Sequence, residues 1–136
     1  MDLILLDTSA FIELNRRTGS PTDRTAARLL GSDAGITVTE PVVMEVLAGC
    51  RSQRAVREMR AKLLSFPMLR VGGLESYERA AAIHRTCRLR GETVRSFIDC
   101  LIAAIAIREN ASVLHADRDF DVIARHTDLR IYPAGA

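Results

Sequence analysis

Ser96-Phe97-Ile98-Asp99-Cys100-Leu101-Ile102-Ala103-Ala104-Ile105-Ala106-Ile107 is almost wholly apolar, yet it carries one carboxylate near its start. An ionised carboxylate taken out of water is costly unless something compensates it. Apolar residues on every side predict a buried helix, with Ser96 as its cap. The next segment, Ser112-Val113-Leu114-His115-Ala116, reads as a strand and runs directly into Asp117-Arg118-Asp119. A buried helix thus opens with an acid, and the strand behind it ends in two more.

The same pairing of apolar run and acid recurs upstream. Asp2-Leu3-Ile4-Leu5-Leu6 is a short strand of the kind buried on both faces, and Asp7 ends it. Thr8 or Ser9 can cap the helix that follows. Ser20-Pro21 starts a second helix, closed by Gly31. Gly35–Val38 is a second strand, and Thr39-Glu40-Pro41 opens a helix in which apolar side chains flank Glu45. Ser52–Phe66 is amphipathic, with Val56, Met59, Leu63 and Leu64 inward. Pro67–Val71 is a weak strand. Leu74–Arg90 is a long Ala-rich helix whose apolar side is expected to comprise Tyr77, Ala81, Ile83, His84 and Leu89. Phe120, Val122 and Ile123 mark a short helix, and Leu129–Tyr132 a last strand. Strands alternating with helices predict an α/β domain around a mostly parallel sheet. No linker divides the chain, so residues 1–136 are expected to form one domain.

Composition narrows the class. An apolar content of 48% with 26% charged residues is that of a globular protein. No apolar run reaches the roughly 18–20 residues that span a bilayer, and Leu3–Leu6 is too short for a signal peptide, so the expected place is the cytoplasm. Of 19 basic residues, all but Lys62 are arginine, whose planar fork suits phosphate. A GC-rich genome gives the same bias. Cys50, Cys87 and Cys100 are widely spaced and form no CxxC pair, which removes a disulfide framework or zinc knuckle. Scattered His84, His115 and His126 speak against zinc. There is no GxGxxG, GxxxxGK[ST] or HExxH, and Ser9 has no evident His partner for a nucleophile elbow.

The acids remain. Parallel strands deliver Asp7, Asp117 and Asp119 to the carboxyl edge of the sheet. A helix of 11 to 14 residues climbs roughly 15–20 Å, about the length of a short strand, so Asp99 returns to that edge. Glu45, early in the helix after the second strand, overhangs it. Each acid has a plainer role: Asp7 as a helix cap, Asp99 at N3 in the helix dipole, Glu45 as a surface residue, Asp117 and Asp119 as turn residues. Those roles together would gather the acids at one edge only by coincidence. Converging carboxylates call for shared protons or a hard divalent cation. Asp2, Asp23, Asp33, Asp121 and Asp128 read as surface or turn residues.

Laid out in this way, the chain resembles the PIN-domain family, and within it the VapC-like toxins of bacterial toxin–antitoxin pairs. Leu5-Leu6-Asp7-Thr8-Ser9-Ala10-Phe11-Ile12 is similar to the first motif. Thr39–Gly49, with Glu45 as its functional acid, is similar to the second. Ser96–Ala106 resembles the third, and Val113–Phe120 the fourth. The resemblance implies a three-layer α/β/α fold and a ribonuclease using magnesium, with manganese as a substitute. By it, Asp7, Glu45, Asp99 and Asp117 are catalytic, and the same four with Asp119 hold metal, chiefly Asp7 and Asp99. Thr8 orients a carboxylate or a substrate phosphate. The resemblance also implies an inhibitory antitoxin partner, a homodimer, and products carrying a 5′-phosphate and a 3′-hydroxyl. Arg95, Arg118, Arg16 and Arg17 flank the acid motifs and are the expected RNA contacts. Two other classes fit less well. An inactive PIN-like binding module would not need the full set of acids. A phosphorylated receiver domain would need a well-placed Lys, and Lys62 lies in an amphipathic helix.

Overall fold

A central parallel strand is apolar at successive positions because both its faces are covered. Leu3–Leu6 meets that demand and forms β1, with Leu5 and Leu6 fully buried. The computed structural model describes residues 2–134. After β1 come α1 (Thr8–Arg16), α2 (Pro21–Leu30), β2 (Gly35–Thr39), α3 (Glu40–Ala48), α4 (Gln53–Leu64) and β3 (Met68–Leu69). Then follow α5 (Leu74–Leu89), α6 (Phe97–Arg108), β4 (Ser112–Leu114), α7 (Arg118–His126) and β5 (Arg130–Ile131).

The sheet order is β3-β2-β1-β4-β5 and every pairing is parallel. Ile4 lies opposite Ile36 of β2 and Ser112 of β4. From β1 the chain first builds outward through β2 and β3, then crosses back to build β4 and β5 on the other side. Right-handed crossovers therefore place α1 to α4 on one face and α5 to α7 on the other. The helix contacts agree: α1 packs with α2 and α3, α3 with α4, and α5, α6 and α7 with one another. This is the α/β/α sandwich expected from the sequence. The order reverses between β1 and β4, and such a switch point opens a crevice at the carboxyl ends of the strands.

Helix α6 is the buried element of the second layer. Cys100 to Ala106 are all buried, and Ser96 caps the helix by accepting the Asp99 N–H at 3.2 Å. Some sequence expectations shift. The N-cap of α1 is Asp7, not Thr8 or Ser9. Thr39 sits at the N-cap of α3 but makes no capping bond. Leu64 is exposed, while Leu63 alone of α4 is fully inside. The inward face of α5 is rotated from the expected one: Ser76, Ala80, Ile83 and Cys87 are buried, while Tyr77, Ala81 and Leu89 are exposed. Ser76 tolerates burial because its hydroxyl donates to the Val71 carbonyl and accepts from Arg108. Among the described residues, no helix is long and apolar enough to cross a membrane.

Candidate metal centre

The crevice between β1 and β4 collects the acids. The Asp7 N–H donates to the Leu114 carbonyl at 3.0 Å, so the ends of the two strands are tied together. As N-cap of α1, Asp7 turns one carboxylate oxygen to the Ser9 N–H (3.0 Å) and the Ser9 hydroxyl (2.6 Å). Its other oxygen, Oδ1, is buried with no hydrogen-bond partner among the described residues. The Ser9 hydroxyl in turn accepts the Ala116 N–H at 2.9 Å, linking the first acid to the turn that carries Asp117.

Asp99 stands at the third position of α6, 5% exposed, and its Oδ2 is likewise buried without a partner. Asp117 is the N-cap of α7 and accepts the Asp119 N–H at 3.0 Å. Asp119 is buried, and its Oδ2 accepts the Arg95 N–H at 3.2 Å. Asp99, Asp117 and Asp119 each offer an oxygen within 4.8 Å of the others. Asp7 and Glu45 flank this group. Glu45 is half-buried and fixed by the Thr8 hydroxyl, which donates to its Oε1 at 2.8 Å.

The charge state follows from this crowding. Burial pushes the Asp99 carboxyl up to about 9, and the Asp117 carboxyl at hydrogen-bonding range adds to the shift, with Asp7 and Asp119 behind it. Burial also raises Asp7, against the two bonds from Ser9. Glu45 is raised by burial, opposed by the Thr8 bond and reinforced by Asp7 and Asp117. All three thus hold protons more tightly than free carboxylates, and each responds to at least one other acid of the set. Buried oxygens without donors and an all-carboxylate donor set suit a hard divalent cation of the magnesium or manganese class. The residues present therefore fit the metal that the motifs imply.

A match to the sequence model of the PIN domain covers residues 4–126. The chain belongs to the PIN-domain family, among its VapC ribonucleases. This PIN domain is 44% identical over 129 residues to the VapC ribonuclease Mb1587 of Mycobacterium bovis, covering 94% of this chain and 96% of the relative. It is 31% identical over 134 residues to ribonuclease VapC51 of Mycobacterium tuberculosis, covering 96% and 94%. Solved structures share the fold. VapBC2 from Rickettsia felis bound to promoter DNA aligns at a TM-score of 0.72 and 16% identity, covering 96% of this chain and 97% of that one. Mycobacterium tuberculosis VapC20, a sarcin-ricin loop cleaving toxin, aligns at 0.68 and 24%, covering 93% and 98%.

Within this PIN domain the five expected acids and Thr8 lie around the crevice. The arginines divide. Arg16 joins Thr8 and Glu45 in lining a cavity of about 220 Å³. Arg118 joins Asp117 and His115 around one of about 370 Å³. Arg95 contributes its backbone N–H, with its side chain exposed. Arg17, in the left-handed region at the end of α1, lines neither cavity. Sequence reasoning missed Ser9, read as a possible cap, and the spacing Asp-x-Ser was the only available signal.

Proposed function

We propose that this chain is a magnesium- or manganese-dependent endoribonuclease, the toxin of a type II toxin–antitoxin pair. The observation that carries the reading is the group of three carboxylates with oxygens within 4.8 Å of one another, with a buried Asp99 oxygen that no donor among the described residues satisfies. Identity of 44% to VapC ribonucleases over nearly the whole chain supports the activity. Asp99, Asp117 and Asp119 would hold the ion, with Asp7 completing the set from β1. A bound ion at this position supplies a Lewis acid for a phosphate oxygen and eases deprotonation of water.

The chain's own groups do the rest. Ser9 holds Asp7, and Thr8 holds Glu45 with one oxygen, leaving the other free to orient water in line with the scissile phosphorus. Arg16 and Arg118, one in each flanking cavity, bind RNA phosphates on either side of the cut. Cleavage of this kind leaves a 5′-phosphate and a 3′-hydroxyl. The VapBC complexes among the structural neighbours support a small antitoxin as partner. A homodimer and a cytoplasmic location complete the reading.

The test is cleavage of a single-stranded RNA panel with magnesium, manganese or excess chelator. Asp7→Ala and Asp99→Ala abolish cleavage while circular dichroism stays native. Full activity in either variant, or in chelator, rejects the proposal.

A further inference from the structure

His115 is the one imidazole near the acids. Its side chain is 7% exposed in an otherwise apolar strand exit. The Asp117 backbone N–H donates to its Nδ1 at 3.0 Å. An amide N–H is always a donor, so Nδ1 must be the unprotonated nitrogen and the ring proton sits on Nε2. Nε2 lies 3.3 Å from Asp121 Oδ1 on the surface of α7. The ring also packs against Phe120, centroids 5.2 Å apart and tilted by 44°. Neighbouring groups of the same turn are tied as well. The Thr22 hydroxyl donates to the His115 carbonyl at 3.0 Å, and the Ala116 N–H donates to Ser9. The Asp117 carboxylate accepts the Asp119 N–H, and its own amide is held by His115.

We infer that His115 is a positioning residue: its Nδ1 holds the Asp117 amide, and Asp121 and Phe120 set the ring, so that the Asp117 carboxylate faces Asp99 and Asp119. The inference rests on the metal-site reading above and extends it to a residue outside the set of acids. Outer partners that orient metal ligands are commonly worth 10–100-fold in affinity.

Two substitutions of matched polarity separate the role from packing. His115→Asn places an amide oxygen near the Nδ1 position and keeps an acceptor for Asp117. His115→Gln reaches toward Asp121 but leaves the Asp117 amide without that acceptor. Manganese binding, read by electron paramagnetic resonance without any RNA, is expected within about threefold of the parent for Asn and about 10–100-fold weaker for Gln. Cleavage at saturating metal should recover in the Gln variant, so the loss lies in metal affinity rather than maximal rate. Thermal melts establish that both variants fold. His115→Leu should behave as Gln does. If it fails to fold, the Asn and Gln pair decides. Gln binding manganese as tightly as the parent, or Asn as weakly as Gln, overturns the inference. A parent protein that binds no manganese overturns the metal site itself, and this role with it.

Discussion

Replacing Asp99 by Asn should abolish cleavage and, in metal-free protein, raise stability. Asp99 is buried beside Asp117, Asp7 and Asp119, and one of its oxygens has no hydrogen-bond partner among the described residues. Its carboxyl stays protonated in the folded state up to about 9, against an ordinary value of 3.8. The native state therefore binds more protons than the unfolded state between those values, and stability falls as pH rises through that window. At about 1.4 kcal/mol per pH unit, the gap between 3.8 and 7 sets a ceiling of about 4 kcal/mol at pH 7. Relaxation and the high effective dielectric of real sites reduce this to about 2 kcal/mol. Asparagine carries no charge and can still donate to Asp117, as the protonated acid does. With an unfolding entropy of about 2.1 cal/mol/K per residue, about 2 kcal/mol moves the melting temperature by about 7 °C. Scanning calorimetry in chelator at pH 7 should find the variant melting above the parent. At pH 5 the gap above 3.8 is little more than a third of its size at pH 7, so the advantage shrinks by more than half. A variant that melts below the parent at pH 7, or whose advantage ignores pH, refutes the account of a site held under charge repulsion.

Ser9→Ala removes the hydroxyl donor to Asp7 and the acceptor for Ala116, and should cut cleavage about 10–100-fold while costing about 1 kcal/mol in urea unfolding. An unchanged rate at limiting magnesium would remove Ser9 from the site. Arg16→Gln and Arg118→Gln should each flatten the salt dependence of RNA binding, by about 0.7 in the log–log slope for a single strand. Arg17→Gln, which lines neither cavity, should leave the slope alone. Equal slopes in all three variants would count against RNA crossing both cavities.

The acids were readable because each stands where its chemistry is out of place. Asp99 interrupts an apolar helix, and Asp7 and Asp117 end strands whose parallel direction places them at one edge. Glu45 was readable for the same reason, through apolar neighbours on α3. Ser9 was not, since a Ser after Asp at a strand–helix turn is what any cap looks like. Asp121 looked like a surface acid, and is one, but the imidazole beside it comes from the turn after β4 and is apparent only in three dimensions. The face of α5 misled because alanine fits either side of a helix and leaves little periodicity. The true face is chosen by Ser76, whose burial depends on the Val71 carbonyl and on Arg108 from another helix. No pattern within α5 announces such a bond. The sharing of roles within the site was also hidden: the family resemblance implied Asp7 and Asp99 as chief ligands, whereas the tightest grouping among the described residues joins Asp99 with Asp117 and Asp119.

The pairing of β1 with β4 has a consequence for how this chain comes to life on the ribosome. Ile4 and Ser112 are neighbours in the sheet, although more than a hundred residues separate them along the chain. Asp7 is made early, and its partners Asp117 and Asp119 are made late. At elongation rates of about 5–20 residues per second, several seconds pass between them. During that interval the nascent chain holds at most an incomplete set of acids. With the metal site as proposed, hydrolytic power arrives in one step, with the closing of the last central strand, after most of the polypeptide has already been synthesised.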